Sequence, residues 1–128
     1  MKLVIDTNVL LDWFVFQNPD VQPLITALQA HHAKWLATQP MLEELDRVLR
    51  YPLMLAWKPD WGIIEDLIKT YVCLCPVPKE TAPALCADPD DQKYLDLAWT
   101  EQASRLLSKD KLLIKAARRC QLQTSTYL

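Results

Sequence analysis

The sequence is 128 residues long and 51% apolar, a size that fits one globular domain over residues 1–128 with its own hydrophobic core. Its net charge of −2, from 14 basic and 16 acidic side chains, excludes a general attraction to nucleic acid, so such a partner would need a local patch or a metal ion. No apolar run reaches the ~20 residues of a membrane span and the start lacks a signal peptide, so we expect a cytoplasmic protein without membrane contact.

Short apolar runs alternate with longer amphipathic segments, which predicts strands separated by helices. The predicted strands are KLVI (2–5), AKWLAT (33–38), YVCLCPV (71–77), ASRLLS (103–108) and the closing CQLQTSTYL (120–128). The predicted helices are NVLLDWFVF (8–16), NPDVQPLITALQAHH (18–32), a segment from near Pro40 to Tyr51, PDWGIIEDLIKTY (59–71), CADPDDQKYLDLAWTEQ (86–102) and DKLLIKAARRC (110–120). Helices between successive strands imply parallel pairing, because the chain must return over the sheet before each new strand. We therefore predict an α/β fold, a three-layer α/β/α sandwich with a central parallel sheet of four or five short strands.

Acidic and hydroxyl side chains lie where these predicted strands end. Asp6 follows the first strand, Ser108 and Asp110 lie at the end of the fourth, and Asp91 lies at the start of the helix before it. Functional residues of open parallel sheets collect at the carboxyl ends of the strands, so we expect these side chains to lie together.

The helix containing MLEELDRVL directs a further acid toward the same edge of the sheet. Glu44 lies at the edge of the apolar stripe of this helix, where it would face inward. Glu43 is its competitor for that role, but it is expected to face water together with Asp46 and Arg47.

Carboxylates brought together without cationic partners repel each other, and their pKa values rise unless a cation compensates. Oxygen ligands with room left for water suit Mg²⁺ or Mn²⁺. Such an ion binds phosphate oxygens and activates water, so the pattern favours metal-assisted hydrolysis of a phosphodiester bond.

Four segments in chain order carry a family resemblance: VIDTN, LEELDRVL, DPDDQKYLDLA, and LLSKDKLL with the closing TSTYL. Together they resemble the PIN domain family of metal-dependent ribonucleases over nearly the whole chain, most closely the toxin components of bacterial toxin-antitoxin modules. The resemblance implies an endoribonuclease that uses Mg²⁺ or Mn²⁺ to cleave RNA. It also implies a homodimer and a cognate antitoxin protein that holds the enzyme silent.

The resemblance also assigns the site residues. Four acids match the metal-binding and catalytic positions of the family: Asp6, Glu44, Asp91 and Asp110. Three polar residues match positions that orient the metal ligands or water: Thr7, Asn8 and Ser108.

Several of these acids also have a purely structural interpretation. Asp6 and Asp110 each precede a predicted helix and would serve as its N-cap. Asp88, followed by proline, has the signature of an N-cap, in which case Asp91 would be the acid of a capping box. Because the helix phase is uncertain by one residue, Asp88 also competes with Asp91 as the metal ligand.

Basic and aromatic residues raise the question of partners. Lys111, Lys115, Arg118 and Arg119 recur at helical spacing and form a cationic stripe, which either is a solvated face or, like Lys109, receives the RNA backbone. The aromatic side chains of NVLLDWFVF are expected by default to pack in the core of the chain. Because apolar residues fill every side of LLDWFVF, the alternative is a second surface that covers it, from a second copy or from an antitoxin segment. The four cysteines lack metal-site spacing, so we expect buried free thiols.

Two other α/β families with acidic sites are disfavoured. A receiver-like domain requires adjacent acids after the first strand, and a haloacid-dehalogenase-like phosphatase requires Asp-x-Asp, where this sequence has Asn8. The alternative that remains is a PIN-like domain that binds RNA or protein without cleaving it.

Overall fold

A five-stranded parallel sheet with helices on both faces forms the centre of the computed structural model, which describes all residues 1–128. The predicted α/β sandwich with a parallel sheet is confirmed. The strands are β1 (Lys2–Ile5), β2 (Lys34–Ala37), β3 (Val72–Leu74), β4 (Arg105–Leu107) and β5 (Thr124–Ser125). The helices are α1 (Thr7–Phe14), α2 (Gln22–Gln29), α3 (Gln39–Leu49), α4 (Pro52–Leu55), α5 (Trp61–Tyr71), α6 (Gln92–Thr100) and α7 (Lys111–Arg119). None of them combines the length and apolarity needed to cross a membrane.

The strand order creates a crevice at the carboxyl ends of the strands, between β1 and β4. The order is β3-β2-β1-β4-β5, so the chain builds outward from β1 to β3 and then returns to the other side of β1 for β4 and β5. Ile5 pairs with Leu107 in the β1–β4 register, and the amide of Asp6 donates to the Leu107 carbonyl at 2.8 Å. This reversal is the topological switch point, where open α/β sheets bind ligands at the carboxyl ends of the strands.

Two hydrophobic cores lie on opposite faces of the sheet because side chains alternate along each strand. Leu3 and Ile5 of β1 pack on one face with α1, α2, α3 and α5. Val4 packs on the other face, mainly with α6 and α7. Full burial of each such aliphatic side chain contributes about 1.5–3 kcal/mol, so both cores hold β1 and its following loop in a fixed position.

The cover expected for the first helix is supplied by the chain itself. Every residue of α1 except Asn8 is buried. Trp13 packs against Trp35 of β2 and Tyr71 of α5, with ring centroids 6.1 and 6.2 Å apart. The default expectation of core packing is therefore confirmed for α1, and the alternative of a second molecule covering this helix is wrong. Phe16, just after the helix, is 36% exposed.

The prediction of buried thiols is only half right. All four cysteines are free, and Cys86 and Cys120 are buried. Cys73 is exposed and Cys75 is half-buried, because β3 is an edge strand that pairs with β2 alone. The short helix α4 was not predicted either.

Candidate acidic site at the carboxyl ends of the strands

Asp6 is a buried carboxylate at the switch point. It is 5% exposed, and the hydroxyl of Ser108, which follows β4, donates to its Oδ2 at 2.7 Å. Although Asp6 occupies the N-cap position of α1, its side chain accepts no capping hydrogen bond, so the N-cap interpretation does not account for it. Burial raises the pKa of Asp6, and the hydrogen bond from Ser108 offsets only part of that rise.

Ser108 also connects this carboxylate to the next acid. Its Oγ accepts a hydrogen bond from the Asp110 amide at 2.9 Å. Asp110 caps α7, because its Oδ1 accepts from the amides of Leu112 and Leu113 at 2.9 and 3.3 Å. The N-cap interpretation of Asp110 is therefore confirmed for one carboxylate oxygen, and the second oxygen takes no part in the cap.

Asp91 and Asp88 have separate roles in the turn before α6. Asp88 is exposed and its Oδ1 accepts from the Asp90 amide at 2.9 Å, so Asp88 caps the 3₁₀ turn Pro89–Asp91. Asp91 is the N-cap residue of α6, but its side chain makes no capping hydrogen bond there. Asp91 instead lies close enough to Asp110 to share a hydrogen bond with it, and close enough to Asp6 to be affected by its charge.

The acids around Asp91 perturb its titration. Burial, a hydrogen bond shared with Asp110 and the negative charge of Asp6 raise the pKa of Asp91 to about 7. Burial also opposes ionisation of Asp110, but the hydrogen bonds from Asp91 and two backbone amides outweigh it and lower the pKa of Asp110. Of the two carboxyl groups, Asp91 is therefore the one that holds a proton as the pH approaches neutrality.

Glu44 of α3 lies at the same edge within a separate hydrogen-bond network. Its Oε2 accepts from the Thr7 hydroxyl at 2.9 Å and from the buried hydroxyl of Tyr94, while Lys93 binds Oε1 at 2.8 Å. Burial would raise the pKa of Glu44, but these three hydrogen bonds lower it. The predicted inward direction of Glu44 is confirmed, and Glu43 is exposed as expected.

Asn8 joins the two segments that carry the site. Its Oδ1 accepts from the Lys109 amide at 3.2 Å, so the start of α1 is bound to the loop between β4 and α7. The Lys109 side chain forms an ion pair with the buried Asp12 of α1, which also accepts from the Tyr127 hydroxyl at 2.6 Å. Lys109 is thus neutralised within the chain.

The donor set fits a hard divalent cation by its chemistry. No three histidine, cysteine or acidic side chains converge into a ready coordination sphere. Asp6, Asp91 and Asp110 nevertheless repel one another, and none of them takes part in an ion pair, since Lys93 and Lys109 neutralise Glu44 and Asp12. Carboxylate oxygens with uncompensated charge are the ligands that Mg²⁺ and Mn²⁺ prefer.

Three residues of this region were missed in the sequence: Lys93, Tyr94 and Asp12. Tyr94 had a usable signal, because it lies three residues after Asp91 and therefore on the same face of the helix. Asp12 had a weaker one, as a single acid inside an otherwise apolar helix. Their partners are 49 to 115 residues away in sequence, which no local pattern indicates.

A family model described as PIN domain matches residues 2–112 of the chain. The chain belongs to the PIN domain family. PIN domains are generally nucleases, and they generally use divalent metal ions. No curated protein sequence matches the chain.

Two solved structures are similar to this PIN domain. One is VapBC2 from Rickettsia felis bound to a DNA fragment from its promoter, with 14% identity, a TM-score of 0.67 and 98% of both chains covered. The other is a PilT N-terminus domain protein from the archaeon Sulfolobus solfataricus P2, with 13% identity, a TM-score of 0.59, and 98% of this chain and 86% of that chain covered. At these identities the likeness shows the shared fold.

Proposed function

We propose that this PIN domain is an endoribonuclease that hydrolyses RNA phosphodiester bonds with Mg²⁺ or Mn²⁺. The observation that carries the proposal is the group of three acids at the switch point: Asp6, Asp91 and Asp110. The pKa of Asp91 is raised to about 7, and none of the three carboxylates forms an ion pair with a basic side chain. A group of acids that destabilises itself in this way is typical of functional sites rather than of structural capping.

In this proposal Asp6, Asp91 and Asp110 hold the ion, and Glu44 completes the acidic set. When bound, the ion supplies positive charge at the phosphoryl oxygens and lowers the pKa of water for attack on phosphorus. The remaining residues position these ligands. Ser108 orients Asp6 through its 2.7 Å hydrogen bond, and Thr7 orients Glu44 through one of 2.9 Å.

The test is Mn²⁺ binding by calorimetry, paired with cleavage of a mixed RNA pool, for the wild type and Asp6→Asn. Asparagine has the shape of aspartate and caps helices about as well, so the variant is expected to fold. Glu43→Gln, which removes an exposed acid beside Glu44, is the matched control. Loss of binding and cleavage in Asp6→Asn alone supports the nuclease. Wild-type protein that binds no Mn²⁺ refutes it.

The second candidate function is a PIN-like domain that binds RNA or protein without cleaving it. The observation in its favour is the neutralisation of Glu44 by Lys93, together with the lack of a ready coordination sphere. Mn²⁺ binding without cleavage of any RNA in the pool would favour this alternative.

We propose further that the chain is the toxin of a toxin-antitoxin pair, with a cognate antitoxin protein as its partner. The support is the shared fold with VapBC2 from Rickettsia felis. Co-expression with the protein encoded beside it, followed by purification through a tag on that protein alone, tests this pairing. Recovery of an equimolar complex without ribonuclease activity is expected, and a freely active chain that does not copurify would contradict it.

The proposed homodimer would use an exposed apolar groove between α1, α2 and α5, which we name the Trp57 groove. It has a volume of about 370 Å³, with Trp57 59% and Ile63 57% exposed at its border. Phe16 packs edge-on against Trp57, with ring centroids 4.9 Å apart. The border also carries Lys58 and Asp60, and charges of both signs suit a two-fold contact in which the groove meets its own copy.

Light scattering after size exclusion tests the dimer. We expect the wild type to be a dimer and Trp57→Lys to be a monomer. Leu85→Lys, at a residue that is 70% exposed beside the other core, should leave the dimer intact. A monomeric wild type would refute the second copy as the occupant of the Trp57 groove.

A further inference from the structure

The outer face of α7 carries a row of cations, which we call the α7 basic row. Its four members are all exposed: Lys111, Lys115, Arg118 and Arg119. The opposite face of the helix is buried in the second core through Leu113, Ala116 and Ala117. At 100° per residue the four cations centre on the side directly away from these buried residues. The row is therefore presented fully to solvent.

No side chain in the chain neutralises the α7 basic row. The four ion pairs of the structure use Arg50, Lys69, Lys93 and Lys109. No acid lies within Lys111–Arg119, and the row together with Ile114 lines a shallow groove of about 620 Å³. The chain has a net charge of −2, but these four unpaired cations give the surface of one helix a positive charge.

Stabilisation of the helix explains only part of the row. Arg118 and Arg119 lie in the last turn, where positive charge interacts favourably with the helix dipole. Lys111 is the first residue of α7, where the same dipole disfavours positive charge. A structural role therefore leaves Lys111 unexplained.

The position of the row relates it to the acidic site. Lys111 directly follows Asp110, so the row begins at the site and extends along the helix for about 12 Å at 1.5 Å per residue. The negative charges of a single phosphate or of one free nucleotide cover a shorter distance than the row. A flexible chain with regularly spaced negative charges fits this length and the open, shallow form of the groove.

We propose that the α7 basic row binds the phosphate backbone of single-stranded RNA beside the scissile bond, an inference that rests on the proposed function. Contacts to phosphates carry no sequence information, so the row sets affinity and path rather than the cleavage sequence. An acidic segment of a protein partner has similar charge but would not share the spacing of a nucleic-acid backbone.

The test is binding of a fluorescent single-stranded oligoribonucleotide in EDTA, which prevents metal-dependent cleavage, measured by anisotropy between 50 and 200 mM salt. Four phosphate contacts predict a slope of log K against log salt of about −2.8, an affinity loss of roughly 50-fold over this range. The double variant Lys115→Gln/Arg118→Gln should show a slope of about −1.4 and a loss of roughly 7-fold. Lys34→Gln/Lys79→Gln, which removes two exposed lysines that lie outside α7 and take part in no ion pair, should match the wild type.

Equal slopes for the wild type and the α7 double variant would overturn the proposal, as would a wild type that does not bind RNA at 50 mM salt. Equally tight, row-dependent binding of polyglutamate would also overturn it, because the row would then recognise acidic protein. Cleavage with Mn²⁺ is measured separately on the same samples. A row-dependent slope without cleavage supports this inference while refuting the nuclease.

Discussion

Asp91→Asn should stabilise the metal-free protein at pH 8. In the wild type at this pH, Asp91 is ionised beside Asp110 and Asp6, and burial adds to the cost of its charge. Asparagine removes the charge and keeps the shape. Because the Asp91 side chain makes no capping hydrogen bond, the substitution takes nothing from the start of α6.

The sign and size of the effect come from the pKa of Asp91. The folded-state pKa is raised from 3.8 to about 7, so this carboxyl contributes stability at low pH that is lost as pH rises through about 7. At about 1.4 kcal/mol per pKa unit the rise corresponds to at most about 4 kcal/mol. Because the carboxyl is only partly buried, solvent screening reduces this, and we expect Asp91→Asn to gain about 1–2 kcal/mol at pH 8. The gain should be smaller at pH 5 and vanish only below pH 3.8, where the carboxyl is protonated in the unfolded state as well.

Urea unfolding in EDTA at both pH values measures the difference. Asp90→Asn, an exposed neighbour, is the control and should match the wild type at each pH. Addition of Mn²⁺ should reverse the ranking at pH 8, because only the wild type retains the full ligand set. A variant that is less stable than the wild type at pH 8 in EDTA would refute the assignment of Asp91 to a self-repelling site.

Three further perturbations examine neighbouring contacts. Mn²⁺ binding should release about one proton at pH 6 and almost none at pH 8, because the pKa of Asp91 is about 7. Calorimetry in buffers of different ionisation enthalpy measures the number of protons released, and a number that does not change with pH would contradict the prediction. Tyr94→Phe removes a buried hydroxyl from Thr7 and Glu44 and should cost about 1–2 kcal/mol in urea unfolding, whereas an unchanged midpoint would mean that the hydroxyl is not needed there. Asp12→Asn leaves Lys109 without its charge partner and should cost about 1–3 kcal/mol in the same assay, against no cost for Glu43→Gln.

The sequence predicted the edge of the sheet at which the acids lie because that position follows from topology. Once strands alternate with helices, a residue directly after a parallel strand lies at the carboxyl edge, which places Asp6 and Ser108 without any knowledge of packing. Helix periodicity placed Glu44 inward in the same way. Helix periodicity is a local pattern, and the position after a strand follows from the order of strands and helices. Both can be recognised in a single sequence.

Contacts between side chains distant in sequence could not be predicted. The pairing of Glu44 with Lys93 and Tyr94 depends on how closely α3 approaches α6. The pairing of Asp12 with Lys109 depends on how closely α1 approaches the loop between β4 and α7. The same limit explains the exposed Cys73, since the edge position of β3 is set by strand order rather than by its own residues. The helix α4 escaped prediction because it has only four residues and no buried side chain, so it shows no apolar period.

Lys93 reduces the negative charge that an anionic substrate would meet at the four acids. With all carboxylates ionised, Asp6, Glu44, Asp91 and Asp110 would carry four negative charges, and one divalent ion would leave two, which repel a phosphodiester. The ion pair of Lys93 with Glu44 at 2.8 Å neutralises one of these two charges, so one uncompensated negative charge is left. A second positive contribution is then needed near the scissile phosphate, and the α7 basic row, which starts beside Asp110, is the nearest unpaired source along the chain. Under the proposed function, the charge balance of the site thus predicts that α6 and α7 act on the same substrate.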